Sequence, residues 1–221
     1  MVRIVGIAAS PRHGNTEILV KEALHAAQEL PFEVETEFIS FVGKNIKGCI
    51  DCGVCVKQGS YCWQKDDWLN LIHSLIEPVP DGVIIGSPVY FFNVPSLLRA
   101  FFERCTCLFQ QLWHEEFPFS PPDWTKTAAG AIAVGFHRHG GVEHALETIL
   151  EWFLVNGFVC VGGDYIGGGA WQLEEASKEA VHNDSIGMQA AKVVGQRVAY
   201  TAKLLHEGKQ LSPDLNLLKI G

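Results

Sequence analysis

The chain has 221 residues and a formal net charge of -8, enough length for one sizeable α/β domain with room for an appended or inserted segment. The acidic balance argues against nucleic acid or an anionic membrane as the main partner, because either calls for clustered Lys and Arg. No stretch approaches the roughly 18 apolar residues of a membrane span, and the N-terminus has no signal-peptide pattern. A cytoplasmic protein is expected, in which seven cysteines serve ligation or burial rather than a disulfide framework.

Strand and helix signals alternate from the start. Residues 2–9 form a Val- and Ile-rich strand, 10–16 a polar loop, and 17–29 an amphipathic helix. Residues 32–38 alternate apolar and charged, as a strand with one wet face at a sheet edge does. Asp66 and Asp67 open a helix bearing Trp68, Leu69, Leu71, Ile72, Leu75 and Ile76, which stops at Pro78 and leads into a buried central strand, 83–86. A loop at 87–93, a helix from Pro95 to about Cys107, a strand at 128–134, a loop at 135–141, a helix to about Asn156, a strand at 158–161 and a last helix near 185–206 follow. Five strands alternating with helices predict a single α/β domain over 1–221, a doubly wound parallel sheet with helices on both faces. Two features interrupt it, a cysteine loop at 47–63 and an aromatic, Pro-rich insertion at 108–126.

Cys49, Cys52, Cys55 and Cys62 form a Cys-x2-Cys-x2-Cys-x6-Cys run. Two-residue gaps let successive thiolates turn toward one small inorganic object, and three such ligands plus a nearby fourth suit a 4Fe-4S cluster. Tetrahedral zinc, which more often draws on two separated knuckles, and unligated thiols are the alternatives. Gly48, Gly53 and Gly59 leave room for the backbone to wrap the cluster and aim N–H groups at sulfur. Cys105, Cys107 and Cys160 fall on apolar patterns, as buried free cysteines do.

In a doubly wound sheet, ligands sit beyond the carboxyl ends of the strands where strand order reverses. The loop Ser10 to Thr16 is neither a Walker loop nor a Gly-x-Gly-x-x-Gly fingerprint. It nevertheless brings hydroxyls, an amide, a guanidinium and a glycine to a helix N-terminus, where free N–H groups and the helix dipole favour an anion. It reads as a phosphate cradle, with an ordinary N-cap by Asn15 or Thr16 as the alternative. Tyr90, Phe91 and Phe92 suit either the face of a flat aromatic ligand or the core.

Together, Ser-Pro-Arg-His-Gly-Asn-Thr at 10–16, the cysteine run, and Gly-Ser-Pro-Val-Tyr-Phe-Phe-Asn-Val-Pro-Ser-Leu-Leu-Arg-Ala-Phe-Phe-Glu-Arg at 86–104 resemble the iron-sulfur flavoproteins. These are a branch of the flavodoxin-like NAD(P)H-dependent FMN reductase family, and the match runs to about residue 160. The resemblance implies a flavodoxin-like fold, an FMN phosphate held by Ser10, Arg12, Asn15 and Thr16, and an isoalloxazine ring along Pro88, Val89, Tyr90, Phe91 and Asn93. Gly135, Gly140 and Gly141 would flank the flavin's polar edge. The ferredoxin-type proline after the fourth cysteine is replaced by Trp63.

The resemblance further implies an electron-transfer oxidoreductase. Ferredoxin or NAD(P)H would be the donor, a small molecule such as a quinone the acceptor, and the assembly a homodimer or homotetramer with one subunit's cluster near a neighbour's FMN. An NAD(P)H-dependent FMN or quinone reductase whose cysteines are incidental is the second reading, and a flavodoxin-like binding module with a zinc knob the third. No catalytic acid or base stands out, and flavin and cluster chemistry requires none. His137 and His139 read as solvated loop residues. The segment Phe109 to Trp124 reads either as an interface, carrying Trp113, Phe117, Phe119 and Trp124 among prolines, or as an insertion folded onto its own subunit.

Overall fold

The computed structural model describes residues 1–109, 121–137, 139–163 and 179–208. Five strands, β1 (Val2–Ala8), β2 (Val34–Ser40), β3 (Gly82–Pro88), β4 (Ala128–Val134) and β5 (Val159–Cys160), pair in the order β2-β1-β3-β4-β5 with every ladder parallel. This is the flavodoxin-like doubly wound order, which switches direction between β1 and β3. β3 is buried along its whole length, and β2, with no neighbour on its outer side among the described residues, stays partly exposed, as its alternating sequence requires.

The helices are α1 (Asn15–Gln28), α2 (Val54–Gln58), α3 (Trp68–Ile76), α4 (Ser96–Arg104), α5 (Val142–Val155) and α6 (Ser185–Gly208). One face of the sheet packs on α1 and α6 through Leu19, Val20, Ala23, Ala191, Val194 and Val198. The other face carries α3, α4 and α5. Trp68, Leu71, Ile72 and Leu75 at i, i+3, i+4 and i+7 form the α3 stripe, which meets Phe101 of α4 and Trp152 and Phe153 of α5.

Three expectations change. β5 is two residues long because Phe158 leaves the strand for the aromatic cluster of Trp124, Trp152 and Phe153. The cysteine loop contains a helix, α2, which its short length and glycine flanks gave little reason to expect. Trp124 is core rather than interface: it is fully buried, stacks on Phe158 at 4.9 Å and donates its indole N–H to the Leu75 carbonyl at 2.8 Å. Phe109 packs on it at 5.8 Å, so the described ends of the insertion fold onto their own subunit. Trp113, Phe117 and Phe119 lie outside the described residues.

Candidate functional site

Four loops leave the carboxyl ends of β1, β2, β3 and β4, and every predicted site residue lies in or beside them. The β1 loop ends at Gly14, which precedes α1 without any side-chain cap. Asn15 and Thr16 do not cap the helix. A helix N-terminus is where an anion is favoured, and Glu17 is the acidic residue in that turn. Ser10 and Thr16 are buried and Arg12 is exposed. Ser10 folds its hydroxyl onto the loop, donating from Oγ to the Arg12 carbonyl at 2.6 Å and accepting the Arg12 N–H at 3.2 Å. Asn15 points partly elsewhere, its Oδ1 accepting the Val181 N–H at 3.3 Å and so tying the 3-10 turn before α6 to α1.

Glu17 was not expected here. Burial works to raise its carboxyl, but a hydrogen bond from Ser40 Oγ at 2.5 Å, the His13 ring at 2.9 Å and nearby Lys21 together hold it below the ordinary value.

The β3 loop is strained. Tyr90 and Asn93 exchange backbone hydrogen bonds of 2.7 and 3.2 Å around Phe91 and Phe92, whose φ angles are +46° and +67°. Two consecutive left-handed residues make a tight turn that normally selects Asn and Gly, and phenylalanine there is costly. Phe91 is 98% exposed and Phe92 62%. Pro88 is buried and Val89 half-buried, its N–H bonded to the Val134 carbonyl at 2.8 Å. Asn93 is exposed, and its Oδ1 accepts from the Val94 N–H and the Thr148 hydroxyl.

The β4 loop closes on this turn. A side chain on Gly141, at φ +100°, would strike the Phe92 backbone at 2.4 Å, so only glycine permits the approach. Gly135 and Gly140 lie in the same loop. His139 pairs with Glu143 at 2.9 Å and His137 is exposed against Phe136.

The long loop after β2 carries the cysteines. Cys49, Cys52, Cys55 and Cys62 all line one cavity of about 110 Å³, with Trp63, Gln64, Arg104 and Cys107 among the other walls. Among the described residues no three His, Cys, Asp or Glu side chains converge closely enough to form a ligand set for a metal ion. The thiols surround a space rather than a point. N–H donors reach three of the sulfurs: Asp51 N–H to Cys49 at 3.4 Å, Trp63 Nε1–H to Cys52 at 3.1 Å, and Gln64 Nε2 to Cys62 at 3.9 Å. The Val54 N–H and the Trp63 indole lower the Cys52 thiol from its ordinary value, whereas burial raises Cys55. Gly53 and Gly59, both left-handed, bracket α2 and turn the backbone around the cavity.

The sequence reading missed what holds this loop. Arg104, on α4 and 1% exposed, pairs with buried Asp66 at 2.7 Å and donates to the Lys47 carbonyl at 3.1 Å and the Gln64 carbonyl at 3.4 Å. Asp66 in turn accepts the backbone N–H groups of Lys47 and Trp68. Both ends of the cysteine loop are thus fastened to one buried ion pair. Burial opposes the Asp66 charge, but Arg104 and the two N–H donors outweigh it and lower its carboxyl. Cys107 is buried as expected, yet it is also a fifth thiol on the cavity wall, and burial pushes it up to about 12. It stays protonated and so is a poor fifth thiolate. All seven cysteines are free.

The fold and the three loops at the switch point define a flavodoxin-like α/β protein. The sequence profile described as NADPH-dependent FMN reductase matches residues 2–172. An iron-sulfur flavoprotein of Methanocaldococcus jannaschii is 35% identical over 92% of this chain and 99% of its own, and one of Methanosarcina thermophila is 30% identical over 94% and 99%. Among solved structures, a flavodoxin WrbA-like protein from Agrobacterium tumefaciens superposes with a TM-score of 0.53 at 16% identity over 92% of this chain and 99% of that one. A flavodoxin from the domain Archaea gives 0.53 at 14% over the same shares. The chain belongs to the NADPH-dependent FMN reductase family, within its iron-sulfur flavoproteins, and is an FMN-containing oxidoreductase. Among the described residues no helix is long and apolar enough to cross a membrane.

Proposed function

We propose that the protein moves electrons between a donor such as ferredoxin and a small-molecule acceptor by way of FMN, with a 4Fe-4S cluster held by Cys49, Cys52, Cys55 and Cys62. The observation that carries this reading is the gathering of those four thiols around one cavity, with N–H donors on three of the sulfurs. A cluster is wider than a single ion, so thiols spread around a space suit it better than zinc. The relatives named iron-sulfur flavoproteins support the same choice.

For FMN, the uncapped start of α1 receives the phosphate, with Arg12 contributing charge and Ser10, Asn15 and Thr16 shaping the loop. Pro88, Val89, Tyr90, Phe91 and Asn93 on one side and Gly135, Gly140 and Gly141 on the other take the ring. The exposed Phe91 and Phe92 rings supply apolar surface for the ring or for a second copy in a homodimer or homotetramer. When bound, FMN exchanges electrons singly or in pairs and the cluster exchanges them one at a time, which lets the two kinds of partner be coupled.

An anaerobic visible spectrum with flavin, iron and acid-labile sulfide analysis tests this reading. Flavin and four iron per chain are expected; flavin without iron or sulfide would overturn the cluster. The family description favours a second reading, NADPH-dependent reduction of FMN or a quinone without a functional cluster. Hydride-transfer kinetics from NADPH on iron-free protein would support that alternative.

A further inference from the structure

Arg104 is a described residue whose chemistry the flavin and thiol assignments leave unused. It lies on the wall of the cysteine cavity, is 1% exposed, and commits its two Nη groups to Asp66 and to the Lys47 and Gln64 carbonyls. Its Nε–H is buried and has no partner among the described residues. A buried donor normally finds an acceptor, and one left over beside a cavity ringed by sulfur points to a group that occupies the cavity.

The placement of the two charges matters as well. Arg104 forms part of the cavity wall and Asp66 does not, so of the two paired charges the cation is the one on the residue that borders the thiols. The guanidinium also lies over the Trp68 ring, with 5.2 Å between its Cζ and the ring centroid, which helps fix its position. Four thiolates and a cluster form an anionic group, and one-electron reduction adds a further negative charge to it. A fixed cation at the wall stabilises the reduced form more than the oxidised form, and a hydrogen bond to sulfur acts in the same direction.

We infer that Arg104 sets the cluster's reduction potential upward, through its charge and through Nε–H donation to cluster-side sulfur, with Asp66 as the counterion that moderates the effect. This rests on the cluster reading above. Arg104 is a positioning and tuning residue and does not itself transfer an electron.

The test is an anaerobic redox titration with dithionite as the one-electron reductant, monitored by EPR on protein shown to contain iron and sulfide. Arg104→Gln is expected to lower the reduced-to-oxidised ratio at fixed potential about tenfold, equivalent to ~59 mV downward for a one-electron couple. Asp66→Asn, which leaves the guanidinium uncompensated, is expected to move the midpoint in the opposite direction. A merely structural clamp predicts no such pair of opposed shifts. On the wild-type protein, labelling arginine with nitrogen-15 should give a nitrogen hyperfine coupling to the reduced cluster, so the inference remains testable where a variant fails to fold.

An unmoved midpoint in iron-loaded Arg104→Gln, shifts of the same sign in both variants, or absence of the coupling would overturn the role of Arg104. Wild-type protein without iron and sulfide would instead overturn the cluster reading beneath it.

Discussion

The loop after β1 and the loop after β2 are built in different ways. In the first, the proposed receiving groups are backbone N–H groups at the start of α1, which has no side-chain cap, and the side chains around them mostly shape the loop. In the second, the proposed cluster ligands are four side-chain thiols, and a buried ion pair on α4 and the loop's far end holds the backbone that carries them. A backbone site tolerates the loss of one side chain and weakens by degrees. A side-chain site fails when one ligand is removed, and its scaffold is weakened when half of the ion pair is removed.

The sharpest way to break that contrast is Cys52→Ala, for which iron analysis should fall to background while FMN content is retained. Simultaneous loss of both cofactors would show that the two loops are not separate sites. Next in size is Asp66→Ala, which leaves Arg104 buried and uncompensated. It should cost about 3–5 kcal/mol in urea unfolding at neutral pH. Because the Asp66 carboxyl lies below its ordinary 3.8 in the folded protein, its contribution is fully present above about pH 4. It is lost as pH falls through the depressed folded value, so wild type and variant should converge in stability in strong acid.

A smaller effect is expected on the backbone side. Arg12→Ala removes one exposed charged donor and should weaken FMN by roughly 1.5 kcal/mol, about tenfold in Kd by flavin fluorescence, without changing iron content. The smallest expected change concerns the strained turn. Phe91→Asn with Phe92→Gly supplies the residues that a doubly left-handed turn prefers, and should stabilise the protein by about 1 kcal/mol, raising Tm by about 2–4 °C. FMN binding or self-association should fall at the same time. A gain in stability with both unchanged would mean that the phenylalanines serve neither.

The strained positions themselves point to the same loops. Among the described residues, Asp51, Phe91 and Phe92 are the non-glycine residues with positive φ, and they lie in the cysteine loop and the β3 loop. Backbone strain of this kind persists where surrounding structure imposes it and tends to gather at functional sites. The bare sequence shows which residues these are but not their φ angles.

Periodicity and punctuation alone specified the five strands, the edge position of β2, the buried β3 and the cysteine run, because strand alternation, helix stripes and ligand spacing are local patterns that each segment carries by itself. They did not reveal that Trp124 is core, that α1 has no side-chain cap, that Cys107 joins the cavity wall, or that Asp66 and Arg104 meet across 38 positions of chain. Those facts depend on which distant side chains the fold brings together in the low-dielectric interior. There, a charge or an unpaired donor acquires its meaning from its neighbours.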